Sequence, residues 1–272
     1  MKKYMIRCDM EGISGIVSYE QADPCKSEYQ KSLRLFMSDL NAVLNGLFDG
    51  GADEVHIYDE HYFGRNIDIS ELKSSIGLDR IFIYMGKPPY RKDWAGGLTS
   101  DFSGLILLGF HAKKGTENAL LHHTYESDID DILINNQSVG EIGVESLIAK
   151  EMGVPFIMIT ADSEGVKEAL AMEPDVMAVS VKESLCESGA ICQPIQLIYD
   201  MIYETAKKAA IKNWEKPAMH RNIPVHMSIK LANTTYKREY LRRFSLPEFT
   251  GASVLECWAE YWHNKIEVQK SI

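Results

Sequence analysis

Leu105 to Leu108 is apolar at every position and stops at Gly109, which marks it as a buried strand with an abrupt end. Comparable runs at Tyr4–Cys8, Glu54–Tyr58 and Arg80–Tyr84 read as its neighbours. Between the first two lies a helical pattern opening at Ser27, with Leu33, Leu35, Phe36, Leu40, Val43, Leu44 and Leu47 on one face and Gly50-Gly51 at its end. Strands alternating with helices predict an α/β fold with a mostly parallel central sheet flanked by helices. Further on, Asp131–Ile134 and Ser138–Val139 flank a tight turn at Asn135-Asn136-Gln137. A helix over Gly140–Met152, a strand over Pro155–Thr160, a helix from Ser163 to Met172 and an extended Val176–Val181 come next. Pro194–Trp214 reads as a long amphipathic helix, Ile223–Leu231 as a strand and Gly251–Val268 as a closing helix. The Lys216-Pro217 to Pro224 stretch is the expected seam between a metal-binding catalytic domain, 1–215, and a smaller C-terminal α+β lobe, 216–272, packed on the first or continuous with it.

The strand ends carry the chemistry. The first strand ends in Cys-Asp-Met-Glu, giving Asp9 and Glu11; the second in Tyr-Asp-Glu-His, giving Asp59 and His61; Leu105–Leu108 leads to His111. Glu141 stands between two glycines at a helix start, where the helix dipole also favours a carboxylate. Parallel sheets bind ligands beyond the carboxyl ends of their strands, so imidazoles and carboxylates gathered there point to one or two divalent cations. Asp9 and Glu11, two apart in an extended segment, share a side and repel unless a cation or protons compensate. At Asp59 and His61 either residue could be a ligand, or the aspartate could orient the histidine. One of His122 and His123 is expected in the site and the other away from it. His56 lies inside a strand and reads as structural, and His220, His226 and His263 have no acidic companions at metal spacing.

The net charge of −10 over 272 residues argues against a sequence-blind nucleic-acid binder, which needs a basic footprint. No apolar run approaches the roughly 20 residues of a membrane helix, and Met1-Lys2-Lys3 leads into a run too short for a signal-peptide core. Five irregularly spaced cysteines predict reduced thiols and a cytoplasmic protein; Cys186 and Cys192 are not at zinc-knuckle spacing. No nucleic acid and no membrane is expected as a partner.

Several of these motifs together resemble the zinc-dependent D-aminopeptidase family of DppA type. They are Asp9-Met10-Glu11-Gly12-Ile13-Ser14-Gly15, Asp59 to His61 with Asn66, Leu108-Gly109-Phe110-His111-Ala112, His122, and Asn135 with Val139-Gly140-Glu141-Ile142-Gly143. They occur in the family's order within residues 1–145, and weaker similarity runs to the C-terminus. The resemblance implies metal ligands at Asp9, Glu11, His61, His111 and Glu141, with Asp9 bridging two Zn2+ ions per subunit. It implies a catalytic histidine at His122, a small peptide substrate, and a ring-shaped homo-oligomer, pentamer or decamer, enclosing its active sites. The chain departs from the family at Leu185-Cys186-Glu187-Ser188, where a Ser-Arg pair is common, in lacking a proline between His111 and His122, and at His123.

The expected function is a dinuclear zinc aminopeptidase acting on the N-terminal residue of short peptides that contain D-amino acids. Two rivals remain at this level. A dinuclear phosphoesterase uses similar ligand sets, but commonly adds a basic residue, and only Lys113-Lys114 lie within these motifs. A non-catalytic peptide- or metal-binding protein would keep the ligands without turnover.

Overall fold

Alternation along the first strand decides the layering: Tyr4, Ile6 and Cys8 point into one apolar core and Met5 into another. In the computed structural model, which describes residues 1–73, 77–86, 91–218 and 224–270, that strand is β1 (Lys3–Cys8). It is followed by α1 (Tyr19–Ala22), α2 (Tyr29–Asp49), β2 (Glu54–Asp59), β3 (Ile81–Tyr84) and β4 (Gly104–Phe110). Then come β5 (Ile129–Ile134), β6 (Gln137–Val139), α3 (Glu141–Glu151), β7 (Phe156–Asp162), α4 (Ser163–Met172), β8 (Met177–Cys186) and β9 (Gly189–Cys192). The chain closes with α5 (Ile195–Ile211), β10 (Val225–Leu231), α6 (Thr235–Arg243), β11 (Glu248–Gly251) and α7 (Val254–Gln269).

The larger sheet has the order β3-β2-β1-β4-β7-β8-β9, parallel throughout except for the β8–β9 hairpin. The chain builds outward from β1 through β2 to β3, then returns to place β4 on the other side of β1. That reversal is the topological switch point at which α/β sheets open a crevice. Helices α2 and α5 cover one face. On α2, Leu40, Val43, Leu44 and Leu47 are fully buried, each stabilising the fold by roughly 1.5–3 kcal/mol relative to exposure. The other face is covered by α3, α7 and a second, antiparallel sheet of order β11-β10-β5-β6. The observed architecture is thus the mostly parallel α/β sheet expected, with a smaller antiparallel sheet beside it.

Two details bear on the expectations. The Asn135-Asn136 turn joins β5 to β6 with both residues at positive φ (49° and 66°), as a two-residue hairpin requires. Because β5 also pairs with β10, the small sheet draws two strands from each side of the seam expected near residue 216. The extended Val176–Val181 is longer than expected and turns back at Cys186 to form β9. The Ile223 start of the expected strand lies outside the described residues, as does His220; the observed strand begins at Val225. Among the described residues no helix is long and apolar enough to cross a membrane. All five cysteines are free, Cys186 and Cys192 being exposed on the hairpin.

Candidate metal centre

The strand pairing continues past β1 into the residues that matter. The Asp9 N–H donates to Leu108 O (2.8 Å), Glu60 N–H to Cys8 O (2.9 Å) and Gly12 N–H to Gly109 O (2.7 Å), so the ends of β1, β2 and β4 stay locked side by side. A Cβ on Gly12 would come within 2.5 Å of the Gly109 carbonyl carbon and closer still to Phe110 O; only glycine lets these two loops touch. Gly109 itself sits at φ +74°, turning the chain so that His111 faces back toward Asp9.

Asp9, Glu11, His61, His111 and Glu141 converge there, and none is more than 8% exposed. Asp9 is the centre of the arrangement. Its Oδ1 lies 2.9 Å from His61 Nδ1, while its Oδ2 lies 3.3 Å from His111 Nε2. Each histidine has a glutamate of its own: His61 Nδ1 is 3.2 Å from Glu11 Oε2, and His111 Nε2 is 3.3 Å from Glu141 Oε1. Two His–Glu pairs therefore flank one aspartate, each pair on its own oxygen.

Backbone carbonyls fix which ring nitrogen points inward. His61 Nε2–H donates to Ala22 O (2.8 Å), leaving Nδ1 toward the carboxylates, and His111 Nδ1–H donates to Ala112 O (2.9 Å), leaving Nε2 there. Asp59 does not join them. It accepts from Asn66 N–H (2.6 Å) and Nδ2–H (2.8 Å), and Asn66 Nδ2 also donates to His61 O (2.8 Å). Of the two readings of that pair, Asp59 holds the turn and His61 enters the cluster.

The electrostatics match a cation site. Burial alone would raise the Asp9 carboxyl, but His111 beside it and the hydrogen-bonded His61 hold it well below the carboxylate range. Burial and Asp9 push Glu11 up while His61 and His123 outweigh them, so it too is lowered. Burial opposes protonation of both histidines, yet Glu11 and Asp9 drive His61, and Glu141 and Asp9 drive His111, well above the usual imidazole value. Asp9 Oδ2, Glu11 Oε2 and His111 Nε2 are buried without hydrogen-bond partners, and the last lies against the first. Orphaned donors and acceptors of this kind, converging within a mixed imidazole–carboxylate set, fit divalent metal ions.

The two histidines of the next loop differ. His123 stacks on His111 (centroids 4.1 Å apart, planes 10° apart), with Nε2 3.8 Å from Glu141 Oε1. His123, His111 and Glu141 bring ligand atoms within 4.8 Å of one another, so His123 lines the His111–Glu141 side of the site and stands within reach of an ion there. His122 is half-buried, and its Nδ1 accepts from the Gly115 N–H (3.0 Å), which puts its ring proton on Nε2. Both stand between Leu121 (φ 49°) and Tyr125 (φ 56°), left-handed positions that are costly for bulky residues and recur at functional loops. Tyr125 N–H in turn donates to Glu141 Oε1 (2.5 Å). Exposed Tyr19 and Tyr62 flank the approach, their rings 6.1 Å from that of His123 and 5.0 Å from that of His61.

Two residues that no motif singled out hold this centre from behind. Lys182 Nζ donates to the carbonyls of Glu11, Ile13 and Ile16, and burial pushes its pKa down to about 8. Asp39 Oδ2 accepts from Ser14 N–H and Oγ–H, and burial raises its carboxyl to about 6.

Comparison with known proteins agrees with the geometry. A family profile described as D-aminopeptidase matches residues 1–245. The D-aminopeptidase of Bacillus subtilis (strain 168) is 29% identical over 234 residues, spanning 86% of this chain and 82% of that protein. The fold is shared with the Zn-dependent D-aminopeptidase DppA from Bacillus subtilis, described as a self-compartmentalizing protease. The TM-score is 0.86 at 23% identity, over 100% of this chain and 99% of that one. With its cluster at the strand ends and the family match over most of its length, the chain belongs to the D-aminopeptidase family and is a hydrolase of peptide bonds.

Proposed function

We propose that the protein is a dinuclear zinc aminopeptidase that removes the N-terminal residue of short peptides containing D-amino acids. One observation carries the dinuclear reading: the two oxygens of Asp9 face two separate His–Glu pairs. Asp9 would bridge the ions, Glu11 and His61 holding one and His111 and Glu141 the other; nitrogen and carboxylate donors together favour zinc. Bound there, the ions would supply hydroxide at neutral pH and polarise the scissile carbonyl.

The chain's own residues would do the rest. His122, with its proton on Nε2, is suited to give that proton to the leaving amine or to the oxyanion. Burial of the cluster keeps bulk water from the developing charge. A phosphoesterase has less support, because Lys113 Nζ is bonded to Ser138 and Lys114 Nζ to Asp130 (2.7 Å). The self-compartmentalizing relative supports a homo-oligomer, which we take to be a ring of five- or ten-fold order, and the free thiols fit the cytoplasm.

Release of free alanine from D-Ala-D-Ala and L-Ala-L-Ala tests the reading, with zinc-loaded protein beside a chelated control. Zinc-dependent cleavage of the D-peptide alone is expected. Cleavage of the L-peptide alone would reverse the stereochemistry, and release from neither would refute the peptidase role.

A further inference from the structure

We propose that two side chains outside the cluster, the buried Lys182 and the half-buried Glu168, each position one half of it: Lys182 the half built on Glu11 and His61, and Glu168 the half built on His111 and Glu141. The inference rests on the dinuclear reading and assigns residues which that reading does not use.

Lys182 belongs to β8, which is separated from β1 by β4 and β7. Its ammonium spends all three protons on backbone carbonyls, at 2.6 Å to Glu11, 2.8 Å to Ile13 and 2.6 Å to Ile16. Those carbonyls lie in the stretch between β1 and α1, which has no ladder of its own beyond the first residues. A single fixed cation therefore gathers the loop and sets where the Glu11 carboxylate points. Burying an ammonium is costly unless it is fully hydrogen-bonded, so the loop and the lysine order each other.

Glu168 comes from α4 and stands behind the other half. Its Oε2 accepts from the Lys113 N–H (2.8 Å), and its Oε1 faces Gly140 so closely that a Cβ there would lie 2.7 Å away. Lys113 is two residues after His111, and Gly140 is one before Glu141. One carboxylate thus spans the backbone beside both ligands. Neither β8 nor α4 contributes a member of the cluster, and the two supports touch different halves.

The test is zinc stoichiometry and affinity, measured on the full chain by competition with a chromophoric chelator. Wild type is compared with Glu168→Gln and Lys182→Met, each alone and combined with His111→Asn or His61→Asn. Each single variant should weaken one of two zinc ions by roughly 10- to 100-fold and leave the other unchanged. Glu168→Gln should add little to His111→Asn but act in full on His61→Asn, and Lys182→Met should show the reverse. Should Lys182→Met not fold, Lys182→Arg keeps the charge, alters the donor geometry and carries the same comparison. Equal weakening of both ions, no weakening, or identical coupling to both histidines would overturn the assignment. A wild type that binds only one ion would overturn the dinuclear reading, and the inference with it.

Discussion

Gly12→Ala is the substitution that most directly tests how the centre is assembled. The added methyl would lie 2.5 Å from the Gly109 carbonyl carbon, whereas carbon atoms rest at roughly 3.5–4.0 Å. Its neighbours are backbone atoms of Gly109 and Phe110, so no side chain can rotate away. The β1 and β4 loops must part by about 1 Å or more, breaking the 2.7 Å bond from Gly12 N–H to Gly109 O. Asp9 travels with one loop and His111 with the other, and metal sites tolerate only about 0.2 Å in each ligand distance. Overpacking of this kind costs about 3 kcal/mol, and a protein of this size loses roughly 2–4 °C in Tm per kcal/mol. We expect metal-free Gly12→Ala to melt roughly 6–12 °C below wild type, with zinc binding beside His111 weakened most. Thermal unfolding with and without zinc, and chelator competition, measure both. A variant with wild-type Tm and wild-type zinc affinity would show that the loops are not in contact as described.

His122→Ala should lower kcat by roughly 10²- to 10⁴-fold while the zinc content stays that of wild type, measured by steady-state kinetics and metal content. If the loss fell on His123→Ala instead, the proton carrier would be the stacked histidine, and zinc loss from His122→Ala would make that residue a ligand. The facing carboxylates push His61 and His111 well above the usual imidazole value in metal-free protein, so zinc binding should expel protons. Calorimetry in buffers of different ionisation enthalpy counts them, and a value near zero would mean neutral imidazoles. Asp39 holds its proton more tightly in the fold than unfolded, so its stabilising contribution is present at acid pH and lost as pH rises through about 6. Between pH 5 and pH 7, metal-free wild type should lose about 1 kcal/mol relative to Asp39→Asn in urea unfolding, and a pH-independent difference would refute this.

The strands and the residues that gather at their ends were legible because burial on both faces leaves a plain mark. Leu105–Leu108 lies within β4, in which every residue is buried, and Asp9 and Glu11 share a side as their spacing requires. Other features depend on contacts that no local pattern records. Lys182, between Val181 and Glu183, looks like any lysine in an edge-ward strand, since its three acceptors lie about 170 residues away. Glu168 reads as one more acid on an amphipathic helix. The choice between His122 and His123 is hidden by the left-handed residues Leu121 and Tyr125, which break the alternation that would have told one side from the other. The pairing of residues 216–272 with earlier chain leaves no local mark either, because β10 finds its partner β5 some ninety residues earlier.

Glu141 differs from the other four cluster residues in origin. It comes after β6 of the antiparallel sheet, whereas Asp9, Glu11, His61 and His111 come after strands of the parallel one. An ion held between His111 and Glu141 would act as a cross-link between the two layers. The Glu141 carboxylate also accepts from Tyr125, whose ring packs on Trp258 of α7 (centroids 4.6 Å apart). Loading the centre should therefore slow amide hydrogen exchange in α7 and β10, even though neither element supplies a cluster residue. The metal would report on the closure of the whole two-layer structure, and the C-terminal segment would register its loss.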